Sequence, residues 1–454
     1  MNTRTPTGQR LERMSGLRGV MTAACCTAAL WGQPKMALAT DLIEVYHEAL
    51  ANDATYAMAR ASRDAGLEKL PLGRGALLPN LTLSANTAWN KLHNTSDGFQ
   101  TKYNSNGYTV QLTQPLFNWP AWEGYKQGEL QAATSQAQFI ADTQDLMVRV
   151  AQAYFDVLAA AEVLDAQEAL KAASLEQLDL TKSSLEAGTV PITDVEEAQS
   201  RFDLASAQVI GARNDLEVKR FALGRLTGSE PEKLAGLRKA IVLAAPQPEG
   251  MKTWAEAAAR ENPAIKAKQL GFEYAMREVD RNAGAKYPTV DLVTSRQESN
   301  TVNTFNGVPN DTEQNTFMLQ MSLPLYSGGR LSAKEREAVA LKERARADLL
   351  DTTRTIVQAA RQNYLGVMSG LAQLKGLESA GASSASALDS IKAGYEIGVR
   401  ANVDVLNAQS QVADTRQRLA RARVETLMSL LRLKAAAGQL GERDLAQIDA
   451  LLEK

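Results

Sequence analysis

Two kinds of hydrophobic periodicity follow one another along this chain, and the succession occurs twice. Leu81, Leu83, Ala85, Thr87 and Trp89 alternate with Asn80, Thr82, Ser84, Asn86 and Asn90, and Tyr108, Val110 and Leu112 alternate with Thr109, Gln111 and Thr113. Strict alternation predicts strands with one apolar and one polar face. After Pro115 the period becomes helical: Met147, Val150, Tyr154, Val157, Ala161 and Leu164 keep the 3-4-3-4-3 spacing of a coiled-coil seam. In the second half Val290 and Leu292 open one strand, and Phe317, Leu319, Met321 and Leu323 alternate with Met318, Gln320 and Ser322 in another. Past Pro324 the helical spacing returns at Val357, Ala360, Tyr364, Val367, Leu371 and Leu374, 210 residues after the first seam. An amphipathic helix precedes each strand pair, from Thr40 to about Leu72 and from Met251 to about Ala283. The segments HNTSDGFQTKYNSNG and NTVNTFNGVPNDTEQN, rich in Asn, Thr and Gly, read as exposed loops.

Fixed offsets make this an internal repeat. Pro79 corresponds to Pro288 and Pro115 to Pro324 at 209 residues, and Gly188 to Gly398 and Asp194 to Asp404 at 210. The predicted organisation is a first repeat over 40–229, a connector over 230–251, a second repeat over 252–439 and a tail over 440–454. No proline falls between Pro120 and Pro191 or after Pro324, so each long helix runs for about 68 residues, roughly 100 Å. The return helix of about 39 residues spans roughly 60 Å and the opening helix roughly 50 Å. Two short helices end to end therefore match one long helix, which suggests a cylinder wall of constant height.

The N-terminus reads as an export signal. Arg4, Arg10, Arg13 and Arg18 precede an apolar run from Val20 to Trp31, too short to span a bilayer, and Ala37-Leu38-Ala39 fits the small-residue cleavage rule. A cut after Ala39 removes five basic residues and one acidic residue, which takes the net charge from −2 to −6 and leaves no cysteine. A buried N-terminal helix and a lipoprotein cut before Cys25 are the alternatives for this segment; Thr22 stands where a lipoprotein signal favours Leu. With Cys25 and Cys26 gone and only His47 and His93 present, the chain holds no metal-ligand cluster, nucleophile–base signature or phosphate loop, and its charge gives no argument for nucleic acid. No enzymatic activity and no cofactor are expected.

The four strands pose a closure problem. Their open edges cannot face lipid, so either several chains share one barrel or a small soluble sheet caps a helical bundle. Here the ordered motifs carry a resemblance. DLIEVYHEALAND near the predicted mature start, the paired LPNLTL and YPTVDL, QPLF and LPLY, and the turns ITDVEEAQ and GYEIGVRANVDVLNAQS together resemble the TolC family over about residues 40–440. The resemblance implies a mainly helical fold, with long antiparallel coiled-coil hairpins and a transmembrane barrel of twelve strands shared by a homotrimer, four per chain. It implies a Gram-negative outer-membrane location among lipid, with the tunnel reaching into the periplasm. It also implies docking to a periplasmic membrane-fusion (adaptor) protein and an inner-membrane ABC or RND-type transporter, for export of proteins (type I secretion) or small toxic compounds. The rival from another class is a periplasmic coiled-coil adaptor or scaffold that never enters the bilayer.

Gly188, Pro191 and Gly398 mark the two hairpin turns, Gly as the residue just past a helix end and Pro191 at the first helical position of the next. Only the second turn carries Tyr395 and Arg400. Taken alone, such polar groups near helix ends are usually solvated or offset the helix dipole. The resemblance implies instead that they close the periplasmic entrance, bonding or pairing with Asp194. It also implies that Asp404 forms an acidic ring in the lumen. Where the family often has a second ring, this chain has Asn407.

Overall fold

A computed structural model describes residues 40–93, 98, 100–230, 233–238, 243–302 and 308–453. The export signal and Cys25 lie outside them. Residues 39–454 form one compact unit. It is mainly helical with one four-stranded antiparallel sheet.

Each opening helix is broken, where the sequence predicts one continuous helix. The first becomes α1 (Leu42–Asn52), α2 (Ala54–Leu67) and α3 (Lys69–Gly75). The breaking residue is Asp53, extended at ψ 117°, whose carboxylate accepts from the Tyr56 N–H at 2.7 Å and caps α2. Alanine-rich sequence hides this break, because a capping Asp costs the helical pattern only one position. After the sheet hairpin β1 (Asn80–His93) and β2 (Gln100–Phe117) come α4 (Trp119–Glu186) and α5 (Ile192–Thr227). The second half runs α6 (Met251–Glu261), α7 (Pro263–Gly284), β3 (Thr289–Val302), β4 (Pro309–Ser322), α8 (Arg330–Glu396) and α9 (Asn402–Ala436). Asn262 splits α6 from α7 as Asp53 splits α1 from α2, its side-chain oxygen accepting from Ala264 N at 2.9 Å and Ile265 N at 3.3 Å. Pro263, at the first position of α7, was the visible signal. A last helix, α10 (Glu442–Asp449), lies in the tail.

At 68 and 67 residues, α4 and α8 each reach roughly 100 Å. They live in different surroundings. Helix α4 packs against α2, α3 and α5 of its own half and against α7 and α9 of the other. Its seam residues Met147, Val150, Tyr154 and Val157 are buried. Among the described residues helix α8 packs mainly on α6, α7 and α9, and of its residues Ala338, Ala360, Val367 and Leu374 alone are buried. The same periodicity thus yields an enclosed helix in one half and an open flank in the other.

The largest core cluster sits midway along α4, where α1, α5, α9 and α10 meet it around Tyr154, Phe155, Leu223 and Leu431. The connector and the tail close over it. Tyr154 donates to the Ala235 carbonyl at 2.8 Å, Thr40 bridges Leu234, and Leu237 bridges Leu452.

The sheet order is β1-β2-β3-β4, so β1 and β4 are its edges. Partners share a face, which places Leu83, Val110 and Arg296 together on one side and Thr82, Gln111 and Ser295 on the other. Strands extend beyond their alternating segments: 100–107 and 309–315, predicted as loop, are strand. Ladder bonds and polar cross-strand contacts override composition there, as with Asn90 to Ser105 at 2.8 Å and Asn106 to Asn300 at 3.2 Å. Among the described residues no helix is long and apolar enough to cross a membrane.

The Asp53 break is also tied to α4. Arg149 donates to both Asp53 oxygens, at 3.1 and 3.2 Å, and to Asp145 at 2.7 Å. Burial pushes the Asp53 carboxyl up, but the Arg149 guanidinium and the Tyr56 N–H outweigh it and hold it below the usual carboxylate range. A depressed folded-state pKa stabilises above the unfolded value and ceases to do so as pH falls through the folded one. Asp53→Asn keeps a capping oxygen and removes the charge, so it should cost about 1–2 kcal/mol at neutral pH. That deficit should vanish on acidification below the carboxylate range, followed as melting by circular dichroism across pH. A deficit independent of pH would show that the charge contributes nothing.

Candidate gate at the helical hairpin tips

The two hairpin turns are built alike. Gly188 at φ 73° and Gly398 at φ 76° adopt the left-handed conformation that ends a helix. The Thr189 N–H returns to the Ser184 carbonyl at 2.9 Å, and the Val399 N–H to the Gly394 carbonyl at 2.8 Å. These bonds satisfy carbonyls that the helix end leaves open. Pro191 is the N-cap of α5 and not its first helical residue, at ψ 160°. Ile192 takes the first position, because the chain needs one extended residue between turn and helix.

Beyond the turns the copies diverge. Gly394 stands where the first copy has Ser184, and a Cβ there would lie 2.8 Å from the Arg400 Cγ. The Arg400 stem therefore folds over a surface that only glycine leaves open. Its guanidinium lies 3.8 Å from Asp404 Oδ2, and the same oxygen accepts from the Ala401 N–H at 3.3 Å. Asp404 thus completes the first turn of α9. The Tyr395 hydroxyl makes no hydrogen bond among the described residues, and neither Tyr395 nor Arg400 reaches Asp194 within the chain. Among the described residues the Asp194 carboxylate accepts a long 3.5 Å contact from its neighbour Thr193 and no other.

What joins the two hairpins within the chain are amides. Asn402, buried, accepts from Gln177 on α4 at 2.7 Å and donates to the Asp194 backbone carbonyl at 3.4 Å. Beneath them Leu178, Ala198 and Leu406 form a small apolar cluster. One turn further, Arg201 on α5 donates to the side-chain Oδ1 of Asn407 at 3.1 Å and lies 3.9 Å from Glu197. The departure at Asn407 is therefore engaged by a cation. Sequence reading missed Asn402 and Arg201; the available signal was that Asn402 stands opposite an apolar Ile192 in the first copy. Among the described residues no group of His, Cys, Asp and Glu is arranged to hold a metal ion.

Comparison with known proteins agrees with this architecture. The family described as Outer membrane efflux protein matches twice, over residues 45–229 and 254–439. The outer membrane protein TolC of Escherichia coli is 30% identical, with 94% of this chain and 88% of that protein covered. The alkaline protease secretion protein AprF of Pseudomonas aeruginosa is 32% identical, covering 91% of this chain and 88% of AprF. Among solved structures, the Campylobacter jejuni CmeC outer membrane channel superposes with a TM-score of 0.77 at 16% identity, over 90% of this chain and 89% of that one. The chain belongs to the outer membrane efflux protein family, whose members are channels of the outer membrane.

Proposed function

We propose that the chain forms, as a homotrimer, the exit duct of an export machine. A twelve-stranded barrel, four strands from each of three copies, crosses the outer membrane and continues as a helical tunnel through the periplasm. The tunnel docks to a periplasmic adaptor and an inner-membrane transporter and passes proteins or small toxic compounds, without enzymatic chemistry. The carrying observation is that, among the described residues, β1 and β4 are open sheet edges and α8 has few buried residues where its counterpart α4 has many. Among the described residues α8 packs mainly on α6, α7 and α9 and α5 mainly on α1, α4 and α9, while β1 and β4 each pair with one strand. A head-to-tail contact that closes on itself makes a ring. Two repeats, 40–229 and 252–439, then occupy alternating positions around it. The purified protein in detergent should run at three times its chain mass and conduct ions across a planar bilayer. A monodisperse monomer with full strand signal, or a protein recovered as soluble periplasmic material, would overturn this function.

Around such a ring the α8–α9 turn of one copy approaches the α5 start of the next. Arg400 and Tyr395 then meet Asp194 of the adjoining copy, Arg400 exchanging its own Asp404 for it. An exposed pair of this kind contributes at most about 1 kcal/mol, a link that a docking partner can release. Arg400→Ser and Tyr395→Phe should each raise single-channel conductance, the double variant more, and Asp194→Ala should act like Arg400→Ser. Unchanged conductance in the double variant would assign the latch elsewhere.

Asp404 repeated around the axis gives a single acidic ring, which a narrow low-dielectric passage focuses to favour cations. Asp404→Asn should lower the cation preference, read as reversal potential in a salt gradient, and abolish block by trivalent cations. Asn407→Asp should raise both, and more so with Arg201→Gln, because Arg201 otherwise neutralises the new carboxylate. Selectivity and block unaltered in Asp404→Asn would leave Asp404 as a helix-start residue alone.

A further inference from the structure

The open strand edges carry enough information to specify how one copy meets the next. The two sheet hairpins have the same register when moved by 209 residues: Leu81 faces Leu112 and Val290 faces Met321; Trp89 faces Asn104 and Glu298 faces Glu313. The sequences agree at the same offset, YTVQLTQPLF over 108–117 against FMLQMSLPLY over 317–326. Strand β2 is thus the counterpart of β4, and β3 the counterpart of β1. One junction between halves is visible in the chain, where β2 pairs antiparallel with β3 and Val110 faces Arg296 and Tyr108 faces Glu298. With an even number of strands per chain, β4 also runs antiparallel to the β1 of a following copy.

We infer that the seam between copies repeats the β2–β3 junction in register, so that Phe317 of one copy faces Trp89 of the next. The inference rests on the ring reading above and refines it. Shifting the visible partners by the repeat sets Leu319 against Thr87, Met321 against Ala85 and Gln320 against Asn86. The β2 bulge between Pro115 and Phe117 has its counterpart at Leu325, which brings Tyr326 opposite Leu81.

Three observations support this register over a slipped one. Faces are preserved: Phe317, Leu319 and Met321 share the side of Leu292 and Val290, as Trp89, Ala85 and Leu81 do across their own partners. A slip by one residue would turn the polar set outward along the whole edge. The side chains also change in concert. Inside the chain Tyr108 faces Glu298, and Arg296 holds Glu298 at 3.0 Å and Glu313 at 2.8 Å. At the equivalent seam positions Phe lacks the hydroxyl, Trp lacks the carboxylate and Thr87 replaces the arginine. A polar cross-strand group is exchanged for an aromatic pair as a unit, which fits two residues that face one another. Finally, Trp89 and Phe317 are 82% and 78% exposed in the lone chain, two of the most open aromatics of the sheet, one on each edge.

Cysteine pairing tests the register directly, since Cys25 and Cys26 are the only cysteines. The full-length chain carrying Trp89→Cys with Phe317→Cys, and separately Asn86→Cys with Gln320→Cys, would be oxidised in outer membranes and run without reductant. Both should yield covalent trimer. Thr87→Cys with Phe317→Cys and Ala88→Cys with Gln320→Cys, each slipped by two residues or about 7 Å along the strand, should yield about ten-fold less, because a disulfide does not span that separation. Should loss of the aromatic pair prevent folding, the Asn86 and Gln320 pair on the polar face still decides the matter. Covalent trimer from a slipped pair in preference to the aligned ones, or none from any pair in a protein that is trimeric before oxidation, overturns the register and leaves the ring. A monomer before oxidation overturns the ring itself.

Discussion

A strand edge inside a bilayer has nowhere to place its backbone N–H and C=O groups, and each group left unpaired there costs several kcal/mol. That constraint bears on the whole molecule. Four strands in the order β1-β2-β3-β4 twist but do not close, and their edge side chains are apolar on one face. Charge, proline or a covering helix would mark an edge meant to stay alone in water. Here charge and proline are confined to the loop ends of the edge strands, at Lys91, Pro309, Asp311 and Glu313, and the remainder of one face carries Leu81, Leu83, Trp89, Phe317, Leu319 and Met321. On the proposed ring each of these edges gains a strand from an adjoining copy.

The helices obey the same logic with weaker forces. Helix α4 is surrounded and α8 is not, although both carry the same seam spacing. The difference lies in position, not propensity: elements of both halves pack on α4, whereas among the described residues α8 packs mainly on α6, α7 and α9 of its own half. Opening helices broken at Asp53 and Asn262 bend around α4 and α8 while their caps keep the new ends satisfied. The belt formed by α1, α10, residues 233–238 and Tyr154 ties α4 to α5 and α9 at mid-length.

At the hairpin tips strong and weak contacts are separated. Gln177, Asn402 and the Asp194 carbonyl form a buried amide chain over the Leu178, Ala198 and Leu406 cluster, which keeps the two hairpins of one copy together. Arg400 is exposed and Tyr395 and Asp194 are half-buried, with only weak contacts to their side-chain polar groups among the described residues. An exposed arginine can change carboxylate at little cost, whereas a buried amide without its partner loses 1–3 kcal/mol. On the proposed ring, opening therefore separates copies before it separates hairpins.

The sequence by itself determined the parts. Alternation marked Leu81 to Trp89 and Phe317 to Leu323 as strands, proline spacing set the length of α4 and α8, and the glycines at 188 and 398 marked turns that need a positive φ. These are local properties, carried by side-chain period and backbone conformation. Composition misled at 100–107 and 309–315, where polar residues become strand because ladder bonds with a neighbour outweigh the preference of the segment alone. The repeat offset marks Asn402 only by its contrast with Ile192, and the roles of Asn402 and Arg201 come from what lies across the groove. Tertiary structure alone decided that β2 lies beside β3, that α4 is enclosed while α8 is a flank, and that Arg400 turns to Asp404 within its own copy. Those outcomes depend on contacts between segments some 200 residues apart, and a periodic pattern records which face is apolar but not which neighbour covers it.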